Sequence, residues 1–275
     1  MIYPGLDLDL LSHRLLIVSG KGGVGKTSVS LALGLLAAQQ GKKTLIAEID
    51  SEEQVAHLLE RPPIGYKETE LLPNLWGINI RPKKAFEEYV LMQIKFRSLY
   101  KAVFENRFVR HFVEATPGLA DLMCIGKVYD LVTSDIVKHY DLVIVDAPAT
   151  GHSIALLEIA SIVAGAVRIG PLKTEAEKIN SLLHDPIQTQ LMIVTLPEEM
   201  PVMEAIEMTK LLRSHLKLEV GALFLNQVQE EPFTAEEKEE LIGFKKEFGP
   251  QHDLWKVIDL QIMRHELSEE YSKRL

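Results

Sequence analysis

The chain of 275 residues has little cysteine, no excess of basic side chains and no long apolar run. Cys124 is the single cysteine, so one subunit cannot form a disulfide or a Cys-x-x-Cys metal clamp. The net charge of -9 argues against a nucleic-acid binder, which needs clustered Lys and Arg to neutralise phosphates. No stretch of about 18 apolar residues occurs, so no stable membrane insertion is expected. The first seven residues have no basic segment typical of a signal peptide, so we expect a soluble cytoplasmic protein.

Apolar runs that end in glycine or aspartate alternate with helical patterns along the chain. Leu15–Ser19 is such a run, a helical pattern follows from Lys26 to Gln40, and Thr44–Ile49 is a second run. This order is one βαβ unit. It predicts an α/β fold with a doubly wound, mostly parallel sheet.

The rest of the chain predicts one domain with an added helical segment. We expect a single P-loop domain over 1–275 and a reduced helical insertion near 83–140, with 165–187 as a second candidate segment. Trp255–Leu260 has the pattern of a last strand, followed by a short C-terminal helix.

A glycine-rich stretch after the first strand matches the phosphate-binding pattern G-x-x-x-x-G-K-[ST]. In this pattern backbone N–H groups converge on phosphate oxygens, Lys26 reaches the β and γ phosphates, and the Thr27 hydroxyl binds Mg²⁺. We therefore expect ATP or ADP with Mg²⁺ as cofactors. The predicted binding residues are Gly20, Lys21, Gly22, Gly23, Val24, Gly25, Lys26, Thr27 and Ser28.

Lys21 is a second lysine in this stretch, and one subunit does not need it to bind phosphate. It is either a solvated surface lysine or a residue that reaches the nucleotide of a partner subunit. In the second case it would stabilise the charge of phosphoryl transfer, as an arginine finger does. We count Lys21, Lys26 and Asp50 as the candidate catalytic residues.

Two aspartates end apolar strands, Asp50 after Ile49 and Asp146 after Val145. Ligands of open α/β sheets bind beyond the carboxyl ends of the strands, so both carboxylates are expected near the phosphates. Asp146 is a candidate to hold Mg²⁺ through water, and Asp50 to orient or deprotonate the attacking water. A strand-end aspartate can also be a turn or N-cap residue, and His152 is open to either a surface or a functional role.

Several stretches together resemble the deviant P-loop ATPases, and more narrowly the ArsA and tail-anchored-protein-targeting ATPase family. The resemblance spans nearly the whole chain. It is based on Lys21–Thr27, on Asp146-Ala147-Pro148-Ala149-Thr150-Gly151-His152, on Thr195–Pro201, on Phe224-Leu225-Asn226-Gln227 and on Pro117–Asp121.

The resemblance implies a dimer, of two copies or with a related subunit, that closes over two ATP molecules and opens after hydrolysis. Lys21 would then be the lysine that acts across the interface, Asp50 the switch I carboxylate that activates water, and Asn226 a contact to the base. Opening would change a site for a protein client in the helical insertion.

The chain also departs from this family. Switch I reads Asp50-Ser51-Glu52-Glu53 instead of Asp-Pro-Ala-His. The zinc-binding Cys-x-x-Cys pair and the arsenite-binding cysteines are missing, so one chain is not expected to bind arsenite. Only one P-loop is present, unlike the duplicated pump ATPase, and the last predicted strand lacks the proline often found near the adenine.

Three alternatives stay open at this point. The apolar and basic helices of residues 86–112 either pack on the sheet or form a groove for an apolar client helix. A MinD-like regulatory ATPase that binds a partner protein is the main alternative function, although the acid-rich C-terminus is unsuited to anionic lipid. A metabolic kinase with the same P-loop is a third, and it would not need Lys21.

Overall fold

A seven-stranded sheet forms the centre of the protein. The computed structural model describes residues 9–93, 118–134, 140–249 and 253–275. The strands are β1 (Leu15–Ser19), β2 (Thr44–Ile49), β3 (Thr69–Leu72), β4 (Leu75–Ile80), β5 (Leu142–Asp146), β6 (Thr189–Thr195) and β7 (Val220–Leu225). Their order is β3-β4-β2-β5-β1-β6-β7, and only β3 runs antiparallel to its neighbour. The predicted doubly wound, mostly parallel sheet is confirmed.

Nine α-helices occur in the described ranges. They are α1 (Lys26–Gln39), α2 (Gln54–Leu58), α3 (Pro82–Gln93), α4 (Leu119–Thr133), α5 (Thr150–Ala166), α6 (Pro171–Leu183), α7 (Glu199–Leu211), α8 (Ala235–Phe248) and α9 (Asp253–Ser272). A turn of 3-10 helix, Asp9–Ser12, precedes β1, and a π-helical turn, Leu212–Leu216, continues α7.

Both faces of the sheet are buried, which is why its central strands are continuous apolar runs. Leu15 and Ile17 of β1 pack in a core with α4, α5, α6 and α7. Leu16 and Val18 point the other way and pack in a second core with α1 and α2. The alternation of side chains along a strand thus builds one helical layer on each face.

The order of the strands positions the site. The chain leaves β1 through α1 towards β2, which lies on one side of β1 beyond β5, whereas β6 pairs with β1 on the other side. The direction of winding therefore reverses at β1, and a ligand crevice is expected beyond the carboxyl ends of the neighbouring strands. The P-loop, Asp50, Asp146 and Asn226 all follow or end strands at this edge.

The prediction of a last strand at Trp255–Leu260 is wrong, because this segment lies within the 20-residue helix α9. The six residues alone, with Trp255, Val257, Ile258 and Leu260, resemble a short apolar strand. Over the whole segment the spacing is three to four residues, which is helical. Trp255 and Ser268 are buried, whereas the exposed apolar residues are Leu254, Val257, Leu260, Met263 and Leu267.

Other predicted elements have mixed outcomes. Gly170 and Pro171 separate α5 from α6, and Thr234 caps α8 with a capping box. The sequence did not predict β3. The helices α3 and α4 lie within the predicted insertion near 83–140, and much of the helical pattern from Ala85 to Val113 lies outside the described residues. The division into a domain and an insertion stays a prediction.

Candidate functional site

The predicted phosphate loop connects β1 to α1, and its shape depends on glycine. Gly20 and Gly25 have φ values of 146° and 92°, which residues with a side chain rarely adopt. A Cβ atom would lie 2.2 Å from the carbonyl oxygen of Val194 at Gly20, and 2.3 Å from Nδ2 of Asn226 at Gly25. The loop therefore curls tightly against β6 and Asn226. Ser28 is exposed in the first turn of α1, where unpaired N–H groups favour an anion.

Lys26 folds back over this loop. Its Nζ donates to the backbone carbonyl of Lys21 at 3.1 Å. Burial lowers the pKa of Lys26, and the nearby Asp146 carboxylate acts in the opposite direction. The ammonium group is thus held beside the loop. An anionic ligand there would compensate for the hydration that the group loses on burial.

Thr27 and Asp146 form the most direct contact between the two predicted motifs. Thr27 Oγ1 donates to Asp146 Oδ2 at 2.6 Å, and Ser30 Oγ donates to the other carboxylate oxygen at 3.3 Å. Asp146 is 8% exposed, and burial raises its pKa while the Thr27 hydrogen bond opposes that rise. A hydroxyl and a carboxylate are oxygen ligands that suit Mg²⁺, so this pair fits the expected metal.

Asp50 follows β2 in a left-handed conformation, with φ of 46°. Its backbone N–H donates to the carbonyl of Ile80 at 3.0 Å, and its Oδ1 accepts from Nη1 of Arg81 at 3.0 Å. The carboxyl side chain is 59% exposed. The carboxylate is therefore open to solvent, and the hydrogen bond from Arg81 orients it.

Lys21 has a partner within its own chain. Its Nζ lies 2.6 Å from Oε1 of Glu204 on α7, and each side chain is 33% exposed. The lysine is neither buried against the P-loop nor fully solvated. Sequence reasoning missed both Glu204 and Arg81. Arg81 comes directly after Ile80, which pairs with Ile49 before Asp50, and the sequence carries no signal for that register.

Asn226 supports the P-loop from the end of β7. Its Nδ2 donates to the carbonyl of Val24 at 2.9 Å, and its Oδ1 accepts from the backbone N–H of Gln227 at 2.9 Å. Its predicted contact to a base stays a prediction. A cavity of about 470 Å³ lies beside it, lined by β6–α7 loop residues and by one face of α9. Its walls include Leu196, Pro197, Gln227, Leu260, Met263 and Leu267.

His152 is near the start of α5, in the stretch that follows Asp146. Its Nε2 lies 2.9 Å from Oδ1 of Asp121 on α4. The imidazole side chain is 60% exposed. It therefore connects the segment after Asp146 to the helical layer rather than capping its own helix.

Comparisons with known proteins identify the family. The model of a family described as anion-transporting ATPase, ArsA, matches residues 13–172. The chain belongs to this ATPase family. ATPase BagA of Mycobacterium tuberculosis is 31% identical over 233 residues, which cover 81% of this chain and 67% of that protein. The arsenical pump-driving ATPase of Escherichia coli is 28% identical over 221 residues, which cover 74% of this chain and 36% of that protein.

Membership of the ArsA family confirms the resemblance read from the sequence, and it makes the chain an ATP-binding ATP hydrolase. The matched range contains the P-loop, Asp50 and Asp146, whereas Glu204 and Asn226 lie beyond it. The chain matches about a third of the length of the Escherichia coli pump ATPase. Within the described ranges, no helix is long and apolar enough to cross a bilayer.

Proposed function

We propose that this ArsA-family ATPase is a Mg²⁺-dependent dimer that changes conformation on ATP hydrolysis and acts on a protein client. The observation that carries the proposal is the contact of Thr27 with Asp146, since it joins the P-loop to the carboxylate that ends β5. In this proposal Thr27 binds Mg²⁺ directly and Asp146 binds it through water. Held by these two residues, the metal would neutralise negative charge on the phosphates.

The phosphates would lie in the curl of the loop. Backbone N–H groups of residues 22–28 and the ammonium group of Lys26 would hold them, at the positive end of α1. The cavity beside Asn226 would take the base and ribose, with Leu196 and Pro197 on one side and α9 on the other. The aliphatic part of its lining would pack on the flat face of a purine, and polar residues such as Glu198, Gln227 and Arg264 also line it.

Asp50 is the proposed base for the attacking water. It would accept a proton as the water oxygen bonds to the γ-phosphorus and the bond to ADP breaks, which leaves ADP and phosphate. Its exposed carboxylate stands at the carboxyl edge of the sheet, and the Arg81 hydrogen bond limits its orientations. An aspartate tolerates the left-handed backbone at this position better than most residues do.

The dimer part of the proposal depends on Lys21. We propose that in the closed dimer Lys21 leaves Glu204 and reaches the nucleotide of the partner subunit, where its charge stabilises phosphoryl transfer. The ion pair is only partly buried, which supports the exchange, because pairs open to solvent contribute only about 0–1 kcal/mol.

The switch would reach the helical layer through the segment that follows Asp146. This segment leads into α5, and His152 connects α5 to Asp121 of α4. A shift of Asp146 on hydrolysis would therefore move α4 and its neighbours, where we place the client site. We place the protein in the cytoplasm. Burial raises the pKa of Cys124 to about 12, so this thiol is expected to stay unreactive there.

The test replaces Asp50 with asparagine, which accepts the same left-handed backbone and removes the charge. We expect Asp50→Asn to keep the affinity for a fluorescent ATP analogue and to lower turnover by at least about 100-fold. Glu52→Gln, which neutralises an exposed neighbour, is the matched control and should keep normal turnover. Near-normal turnover in Asp50→Asn would remove Asp50 from the mechanism.

A further inference from the structure

Glu48 of β2 is a buried carboxylate that the proposed mechanism does not use. The residue is 1% exposed. Its Oε1 accepts from Ser51 Oγ at 2.8 Å and from the backbone N–H of Val55 at 3.5 Å. Its Oε2 is buried and has no hydrogen-bond partner among the described residues. An unpartnered carboxylate oxygen in a protein interior is unfavourable unless a cation or a water compensates for it.

Glu48 lies beside Asp146 in the sheet. The two residues are paired in the register of β2 and β5. Ile46 and Ile144, two residues earlier on each strand, both pack in the core under α1, and side chains alternate along a strand. Glu48 and Asp146 therefore share the face of the sheet that lies under Thr27 and Ser30. Burial raises the pKa of Glu48, the Ser51 hydrogen bond opposes that rise, and the charge of Asp146 adds to it.

The contacts of Glu48 with the chain do not by themselves require a carboxylate. Ser51 and Val55 both donate to one oxygen, and a glutamine amide oxygen accepts such bonds equally well. What a glutamine lacks is the negative charge and the second acceptor oxygen. Two neighbouring buried carboxylates repel each other, and a divalent cation beside them would remove that repulsion.

We propose that Glu48 is a positioning carboxylate of the magnesium site, which holds a metal-bound water with Oε2 while Oε1 holds the switch I segment. This inference depends on the proposed function, since it needs Mg²⁺ beside Thr27 and Asp146. It adds a residue outside the P-loop and outside the two strand-end aspartates. It also links switch I to the metal, because the same carboxylate accepts hydrogen bonds from Ser51 and from Val55, which follows switch I.

The test measures how much Mg²⁺ is needed for the protein to bind a fluorescent, non-hydrolysable ATP analogue. We expect Glu48→Gln to need at least about 10-fold more Mg²⁺ than the wild type, as substitutions around metal ligands usually do. The weaker binding of the analogue in EDTA should be the same in Glu48→Gln and in the wild type. Glu48→Asp keeps the charge, so its Mg²⁺ requirement should lie between those of the wild type and Glu48→Gln. This variant also tests the inference if Glu48→Gln does not fold.

Glu53→Gln is the matched control, because Glu53 is a carboxylate of the same segment whose oxygens have partners. It accepts from the backbone N–H groups of Ile64 and Gly65 and from Asn79. We expect its Mg²⁺ requirement to stay within about twofold of the wild type, since both of its oxygens already have partners in the chain.

Thermal unfolding separates a metal role from a structural one. Without metal, Glu48→Gln should be at least as stable as the wild type, because a buried unpaired charge is removed. With Mg²⁺ and ADP it should gain less stability than the wild type. A Glu48→Gln protein that is less stable without metal and has a normal Mg²⁺ requirement would overturn the inference and leave the proposed function standing. A wild type that binds the analogue without any need for Mg²⁺ would overturn both.

Discussion

Nζ of Lys21 lies 2.6 Å from Oε1 of Glu204, so the lysine proposed to act across a dimer interface is paired within its own chain. Lys21 is in the P-loop and Glu204 is on α7, 183 residues further along the chain. In this conformation Glu204 competes with any partner nucleotide for the lysine. The strength of that competition sets how easily Lys21 could change partners.

Glu204→Gln should therefore favour the dimer in the presence of Mg²⁺ and a non-hydrolysable ATP analogue. A dimer of two copies breaks two such pairs, so we expect up to about 30-fold tighter association, since a pair open to solvent contributes about 0–1 kcal/mol. Sedimentation velocity over a range of protein concentrations measures this. Glu219→Gln, which breaks the surface pair of Glu219 with Arg213, should have no effect. Weaker association in Glu204→Gln would show that Glu204 itself supports the interface.

Gly25→Ala should abolish nucleotide binding and lower stability. The new methyl group would lie 2.3 Å from Nδ2 of Asn226, at a φ of 92° that alanine rarely adopts. Asn226 would have to leave Val24, and the loop would open. We expect a loss of at least about 1–3 kcal/mol in the free energy of unfolding. Urea unfolding and titration with a fluorescent nucleotide measure the two effects.

Gly22→Ala is the control for that experiment. Its added Cβ would meet its nearest neighbour, Cβ of Ala149, at 4.0 Å, an ordinary contact distance, so the nucleotide-free protein should keep its stability. Equal losses of stability in Gly25→Ala and Gly22→Ala would contradict the conclusion that the loop needs a glycine at position 25 to pack against Asn226.

Asp130 should make the protein less stable as the pH rises from about 4 to about 6. Burial raises its pKa from 3.8 to about 6, and the negative charges of Glu88 and Glu175 add to this, while Lys127 and Lys178 oppose it. A carboxyl group whose pKa is higher in the folded state favours folding when protonated, and this contribution is lost as the pH passes through the folded pKa.

Asp130→Asn removes that titration. We expect it to raise the melting temperature near pH 7.5 and to change it little near pH 4, where the wild-type carboxyl group is largely protonated in the folded state. Asp259→Asn, at an exposed residue paired with Lys245, should show no such difference between the two pH values. A melting-temperature change in Asp130→Asn that is the same at both pH values would contradict the assignment.

The sequence predicted the parts of the site that depend on local chain geometry. A glycine pattern between a strand and a helix has few backbone solutions, so the loop from Gly20 to Thr27 could be placed at once. Aspartates at strand ends meet at one edge of a parallel sheet, which brought Asp146 to Thr27 as expected. The fold class followed from the same alternation of strands and helices.

The sequence could not predict contacts that depend on register and packing between distant elements. Arg81 reaches Asp50 only because Ile49 pairs with Ile80, and no local pattern gives that register. Glu204 reaches Lys21 through the placement of α7 beside the loop. The helix α9 was missed because six residues are too few to separate a period of two from a period of 3.6.

The environment of Glu48 is another feature that the sequence could not predict. In the sequence it is one acid within an apolar run, two residues before Asp50, and nothing local marks it as different from a surface glutamate. Its burial and its unpartnered oxygen follow from the pairing of β2 with β5 and from the helix α1 above them. The register of β2 and β5 therefore determines which groups surround the Glu48 carboxylate.

The measurement that tests the central claim most directly is the mass of the protein in solution by light scattering. It compares the wild type and Lys21→Ala without nucleotide, with ADP, and with a non-hydrolysable ATP analogue plus Mg²⁺. Lys238→Ala, which breaks a surface pair with Glu231, is the control. The account predicts a dimer that forms or tightens with the ATP analogue in the wild type and control, and weakens in Lys21→Ala. A wild type that stays monomeric under every condition would contradict it.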